Sequence, residues 1–324
     1  MSSFVRQPMF HPVSVVFLDD SEDFLNGLQG LFRDRELNRF FTKPQVALDF
    51  MLSRDRGVPL TRIAGADYSE VEKGCSNALG RDALSDDARF EEVAAVVVDY
   101  EMPEIDGIQF LSSINDAACT KILLTGAAGD REAVDAFNAG LIDFYIRKGD
   151  AGMPQKLTHA LADAKKKHCG LRGAILVHDV GASYRDARVV RLLDELVARE
   201  SYVEYYWRPE QNAVLMFDTA GEPAVFVAWD EHDWAFQCDM VMDASGPEWL
   251  RRDMTERRTM PLFWPHQAYR SDRADRADIR TVEPAPVPDW PGAFYSLTRL
   301  DRSALEPAPL SFAQWRRIKR GESR

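Results

Sequence analysis

The most restrictive feature of this chain is a pair of apolar runs that each end in acid. Residues 13–20 read VSVVFLDD and residues 93–100 read VAAVVVDY. Near-continuous stretches of β-branched and apolar residues are the pattern of strands buried on both faces of a parallel sheet. In this reading Asp19 and Asp20 close one strand at its C-terminal end and Asp99 closes the other.

Helix signals alternate with these strands. After Asp20, residues Phe24, Leu25, Leu28, Leu31 and Phe32 repeat at i, i+1, i+4, i+7 and i+8, an amphipathic helix that Ser21 is placed to cap. A short strand at 39–42 leads to a helix near 44–55, with Pro44 at a tolerated first-turn position. Beyond Asp99 come a helix near 108–114, a strand at 121–125, a helix near 131–139 stopped by Gly140, and a strand near 142–147. A helix from Met153 to about His168 ends on Lys165, Lys166 and Lys167, as a helix C-terminus favours. Five strand and helix pairs predict an α/β unit over residues 1–169, a five-stranded doubly wound parallel sheet of the flavodoxin-like kind. Residues 56–92 break the rhythm, because connections in such units typically have about 2 to 6 residues. They read as an insertion, either a surface excursion or a contact surface for a cognate kinase or a second subunit.

From residue 170 the texture changes. Residues 187–199 form an amphipathic helix, followed by apolar runs YVEYYW (202–207), AVLMF (213–217) and AVFVAW (224–229) separated by turn-rich RPEQN and DTAGEP. That spacing predicts a smaller α+β domain over 170–324 with an antiparallel meander. Beyond Met260, Pro284, Pro286, Pro288, Trp290 and Pro291 favour extended structure wrapped on the core. Core packing is the expected role of Tyr205, Tyr206, Trp207, Phe217, Phe226 and Trp229, against a ligand-pocket lining as the other reading. His178, Asp179, His232 and Asp233 lack a metal-ligand spacing, so surface or capping roles are expected of them.

The formal charge is -12, which argues against general nucleic-acid or anionic-membrane binding. The basic tail Trp315, Arg316, Arg317, Ile318, Lys319, Arg320 is expected to be solvated. No apolar run is long enough for a membrane span and no leader pattern opens the sequence, so a cytoplasmic location is expected. Cys75, Cys119, Cys169 and Cys238 are widely spaced, as buried or idle thiols would be.

Open parallel sheets gather ligands at the C-terminal ends of their strands. There the chain places Asp19, Asp20, Asp99, Thr125 and, just past the fifth strand, Lys148. Three converging carboxylates require a cation, and magnesium, a hard ion that takes oxygen ligands alongside phosphate oxygens, is the natural one. Asp99 then stands where it can attack a phosphoryl group and form an aspartyl phosphate, with the Thr125 hydroxyl and the Lys148 ammonium neutralising its oxygens.

The motifs VVFLDD, VVVDYEMPEIDG, ILLTG and YIRK, in this order over roughly residues 13 to 168, resemble the receiver domain of bacterial two-component response regulators. The resemblance implies that Asp99 is the phosphoacceptor and that Asp19, Asp20, Asp99 and the backbone carbonyl of Glu101 hold Mg2+. It also implies that Thr125 and Lys148 sense the phosphoryl group, that Tyr145 is the switch aromatic, and that a sensor histidine kinase or a histidine phosphotransfer protein is the donor. A homodimer formed on phosphorylation is the expected assembly. One departure is Gly149, where the family usually has proline after its lysine. The second half lacks the residue signatures of the usual enzymatic outputs. The first reading is therefore a protein that switches through dimer or interdomain contacts, and the alternative is a transcription regulator whose second half reads DNA.

Overall fold

The computed structural model of the chain describes residues 4–54, 84, 86–126, 130–176, 180–208, 211–243, 246–262, 279–305 and 308–321. They divide into two compact units: residues 10–54, 86–174 and 316–321 in the first, residues 4–9, 84 and 175–315 in the second. Most of the insertion expected at 56–92 lies outside the described residues. Its end is a short helical turn, Arg89–Glu91, with Arg89 and Phe90 buried.

In the first unit the elements follow the order β1 (Ser14–Leu18), α1 (Glu22–Leu31), β2 (Arg39–Phe41), α2 (Pro44–Arg54), β3 (Val93–Asp99), α3 (Gly107–Ser112), β4 (Thr120–Thr125), α4 (Asp130–Asn138), β5 (Phe144–Arg147) and α5 (Met153–Arg172). The sheet has the strand order β2-β1-β3-β4-β5 and every pair is parallel. Every residue of β1 and β3 is buried, because the period of two sends alternate side chains to two separate cores. Val16, Leu18, Val96 and Val98 pack with Ala47, Phe110, Leu111 and Ala133 on one face. Val15, Phe17, Ala95 and Val97 pack with Leu25, Leu28, Leu157 and Leu161 on the other.

This register aligns the strand ends. Leu18 stands beside Val98, Asp99 beside Leu124, and Thr125 beside Arg147. The residues that follow these positions emerge together on one rim, at β1 and β3, where the strand order reverses and the crevice of such sheets opens.

At the opposite end of the sequence this unit also holds Arg316, Lys319 and Arg320. Arg320 Nε donates to Glu36 Oε1 at 2.6 Å and Arg316 Nη2 to Glu36 Oε2 at 3.4 Å, while Lys319 pairs with Glu91. The Arg320 hydrogen bond holds the Glu36 carboxyl down at about 2. The basic tail is thus folded and charge-paired, which corrects the expectation of a solvated end.

The second unit contains α6 (Ala187–Arg199), β6 (Tyr202–Arg208), β7 (Ala213–Asp218), β8 (Pro223–Trp229), α7 (Glu231–Asp243), α8 (Glu248–Thr255), β9 (Ala285–Pro286), β10 (Phe294–Arg299) and the start of α9 (Phe312–Lys319). Its six-stranded sheet runs β9-β10-β8-β7-β6 and then the short strand Met9–Phe10. The pairs β6–β7, β7–β8, β8–β10 and β9–β10 are antiparallel, so the expected meander is present. The proline-rich stretch after Met260 does more than wrap the core: β10 enters the sheet beside β8.

Both faces of this sheet are covered. Tyr206, Phe217 and Trp229 pack with Trp234, Val241, Leu250 and Met254, and Trp207 and Phe226 pack with Val189, Leu192, Leu193 and Leu196. The aromatic runs are therefore core. Glu204 is fully buried on β6 and accepts from the Tyr206 hydroxyl at 2.6 Å and from the Phe312 backbone N–H at 2.6 Å. A carboxylate at the first N–H of α9 satisfies a group that the helix itself cannot.

Asp230 caps the start of α7, accepting from the Asp233 N–H at 2.8 Å, while Asp233 Oδ2 accepts in return from the Asp230 N–H at 3.3 Å and from the Ser183 hydroxyl. His178 and Asp179 lie outside the described residues. Cys119 and Cys169 are buried free thiols and Cys238 is half-buried; burial pushes the Cys169 thiol up to about 12. Cys75 lies outside the described residues. No helix among the described residues is long and apolar enough to cross a membrane.

Candidate functional site

Asp19 follows β1 directly, and its backbone N–H is tied to the Phe41 carbonyl of β2 at 3.1 Å. Its side chain is turned to the rim by two contacts. Oδ1 accepts from the Ser21 N–H at 3.0 Å, and Oδ2 lies 2.7 Å from Lys148 Nζ. The Ser21 hydroxyl in turn caps α1 by accepting from the Phe24 N–H at 3.3 Å, so the helix cap expected at Ser21 also fixes an acid of the site. Asp20, next in the chain, is exposed.

Asp99 ends β3. Its carboxylate Oδ1 lies 2.9 Å from Lys148 Nζ, and carboxylate oxygens of Asp19, Asp20 and Asp99 come within 4.8 Å of one another. Among the described residues this is the group of acids able to hold a metal ion. Burial pushes the Asp99 carboxyl up, and the negative charges of Asp19 and Asp20 add to that, against the opposing pull of Lys148. Burial acts to lower the Lys148 ammonium, but its hydrogen bonds and charge interactions with Asp19 and Asp99 outweigh this and raise it. One ammonium thus faces three acids and leaves a surplus of negative charge. Oxygen-only donors with unneutralised charge suit a hard divalent cation such as magnesium.

The turn MPEIDG behind Asp99 is a closed loop. The Gly107 N–H donates to the Tyr100 carbonyl at 3.0 Å, Asp106 caps α3 by accepting from the Gln109 N–H at 2.8 Å, and Glu104 takes a left-handed φ of 75°. A Cβ on Gly107 would lie 2.3 Å from the Asp99 carbonyl oxygen, so only glycine allows α3 to approach the strand end this closely. Glu101 stands in this loop, two residues past Asp99, and is exposed.

Thr125 ends β4 and is fully buried. Its carbonyl accepts from the Lys148 N–H at 2.9 Å, which fixes the lysine backbone to the rim. Its hydroxyl Oγ1 is buried and has no hydrogen-bond partner among the described residues. A buried donor left unsatisfied costs about 1–3 kcal/mol, and an incoming oxyanion would satisfy it.

Tyr145, on β5, is turned to the surface with 40% of its area exposed and packs edge-on against Phe137 at 6.2 Å. It does not join Thr125 in this conformation. Gly149 does not take a positive φ, and a Cβ there would meet nothing within 4 Å. The backbone beside Lys148 therefore makes no demand for glycine.

Pattern alone does not single out two residues of the site: in the sequence Gly107 is part of a motif and Phe24 part of a face of α1. The Phe24 ring in fact lies under Lys148 Nζ, 4.6 Å from its centroid.

Neither a protein-family model nor a curated protein matches the chain. Solved structures do. The response regulator LqsR of Legionella pneumophila aligns with a TM-score of 0.69 at 24% identity, over 95% of this chain and 94% of that one. This chain has the fold of a response regulator. A receiver domain protein from Clostridium thermocellum aligns at 17% identity and a TM-score of 0.33, over 48% of this chain and 95% of that one. The signal receiver domain of an HD domain-containing protein from Pseudomonas fluorescens Pf-5 aligns at 23% identity and a TM-score of 0.34, over 49% and 98%. In the response-regulator fold of this chain the expected site residues Asp19, Asp20, Asp99, Thr125 and Lys148 stand on one rim of the parallel sheet, whereas Tyr145 lies on its outer surface.

Proposed function

We propose that the chain is a phosphorylation-switched regulator that accepts a phosphoryl group on Asp99. The observation that carries this reading is the Lys148 ammonium lying 2.7 Å from Asp19 and 2.9 Å from Asp99. It is supported by the orphaned Thr125 hydroxyl on the neighbouring strand end.

Asp99 is the nucleophile: a carboxylate oxygen attacks phosphorus, the bond to the donor's leaving group breaks, and an aspartyl phosphate forms. Lys148 moves from neutralising the carboxylates to neutralising phosphoryl oxygens, and Thr125 donates its hydroxyl to another of them. Asp19, Asp20, Asp99 and the Glu101 carbonyl are the groups that would hold magnesium. When bound, the ion offsets the negative charge of carboxylates and phosphoryl oxygens brought together.

The phosphoryl donor in this reading is a sensor histidine kinase or a histidine phosphotransfer protein. The output passes through protein contacts, with a homodimer as the switched assembly, and Tyr145 changes its position when Thr125 engages the phosphoryl group. The surface position of Tyr145 on Phe137 is then the resting arrangement. Light scattering with and without beryllofluoride, which mimics the phosphoryl group, tests the assembly: a rise in mass supports it, and an unchanged mass removes dimerisation from the account.

Incubating the protein with acetyl phosphate or phosphoramidate and magnesium is the test of phosphotransfer. An adduct stable to acid and labile to base is expected on the wild-type chain and absent from Asp99→Asn. Persistence of the adduct in that variant overturns the assignment.

A further inference from the structure

We infer that Phe24 is a positioning residue for Lys148, holding the ammonium over the acidic rim so that it is ready to meet a phosphoryl group. This deepens the phosphotransfer reading and rests on it.

Lysine carries its charge on four rotatable methylenes, and an ammonium free to swing into water supplies little fixed charge to a reaction. An ammonium has three N–H donors. In this site two directions are taken by Asp19 at 2.7 Å and Asp99 at 2.9 Å. The Phe24 ring lies on another side of the nitrogen, 4.6 Å from centroid to Nζ, within the range where a ring face attracts a cation. Lys148 keeps only 23% of its side chain exposed as a result of these neighbours.

Phe24 is itself fixed by the site. Its N–H donates to the Ser21 hydroxyl at 3.3 Å, and the Ser21 N–H donates to Asp19 Oδ1 at 3.0 Å. Asp19 Oδ2 returns to Lys148. The contacts thus close into a ring that runs Asp19, Ser21, Phe24, Lys148 and back to Asp19. Its effect is to place the cation by a rigid aromatic plane at the first turn of α1, independently of which anion the ammonium holds. When the phosphoryl group draws charge away from the carboxylates, the ring face keeps the ammonium from leaving with the old partner.

The test compares wild type with Phe24→Leu, which keeps an apolar side chain without a π face, and Phe24→Tyr, which restores the face. Two readouts are taken: the initial rate of adduct formation with phosphoramidate and magnesium, and the NMR shift of the Lys148 Hε protons in lysine-labelled protein without donor or magnesium. The expected result is an upfield ring-current shift in wild type and the Tyr variant that disappears in the Leu variant. The Leu variant should also phosphorylate roughly 3- to 10-fold more slowly, with the Tyr variant within about 2-fold of wild type. A Leu variant with the wild-type rate, or a Tyr variant as slow as Leu, overturns the inference. Lack of any adduct on the wild-type chain overturns the phosphotransfer reading instead, and the ring-current shift then still decides where the ammonium sits.

Discussion

A methyl group on Gly107 would stand 2.3 Å from the Asp99 carbonyl oxygen and 2.8 Å from Leu123 Cδ1. Neither neighbour is free to yield. Asp99 belongs to the central strand β3, is paired in register with Leu124, and is followed by the Tyr100 N–H bond to the Leu124 carbonyl at 2.8 Å; Leu123 is fully buried in the core. In Gly107→Ala the start of α3 must therefore retreat by about 1 Å to reach ordinary contact. That retreat strains the Gly107 bond to Tyr100 and the Asp106 cap on Gln109. Overpacking of this kind costs about 1–3 kcal/mol and a weakened cap about 1 kcal/mol, so about 2–4 kcal/mol is expected. At roughly 2–4 °C per kcal/mol for a domain of this size, the melting temperature followed by circular dichroism should fall by about 4–16 °C. Hydrogen exchange should locate the loss of protection in β3, α3 and β4. A Gly107→Ala protein that melts within about 1 °C of wild type, with protection of β3 unchanged, would refute the argument that close approach demands glycine here.

Other consequences follow from the charges and from Gly149. Because burial raises the Asp99 carboxyl, its share of stability is present below the ordinary carboxylate range and is lost as pH rises through the raised value. Asp99→Asn should then melt higher than wild type at pH 7 without magnesium, a gap that closes in acid, and adding magnesium should raise the melting temperature of wild type alone. His11 is buried and its pKa is lowered to about 4, with desolvation as the largest cause. The stability it contributes is present above its ordinary value and lost as pH falls from about 6.5 through 4, a loss on the order of 3 kcal/mol. His11→Gln should flatten that part of the pH profile of melting. Gly149→Ala should leave both stability and phosphorylation rate within about 2-fold of wild type, because no neighbour lies within 4 Å of the added Cβ; a marked loss would show that the lysine loop uses glycine after all.

The first unit was legible because its determinants are local. β1 and β3 are written as unbroken apolar runs buried on both faces, and their terminal acids needed only the parallel register to meet. The second unit hides more. Helix α7 leaves Phe236, Met240 and Met242 exposed while burying Trp234 and Val241, so apolar residues surround it and no clear stripe marks it in the sequence. The basic end of the chain looked solvated because what holds it is distant in sequence: Glu36 meets Arg320. Phe24 shows the same limit at the site. Its place in the amphipathic repeat was read correctly as one side of α1, but its contact with Lys148 depends on α1 and the end of β5 arriving at the same rim.

The central claim is that Asp99 itself carries the phosphoryl group, and borohydride reduction followed by peptide mass spectrometry reads this directly. An acyl phosphate formed with phosphoramidate and magnesium is reduced to the alcohol, so the account predicts homoserine at position 99 and at no other aspartate. Homoserine at Asp19 or Asp20, or an unreduced Asp99 in protein that has taken up phosphate, would contradict it.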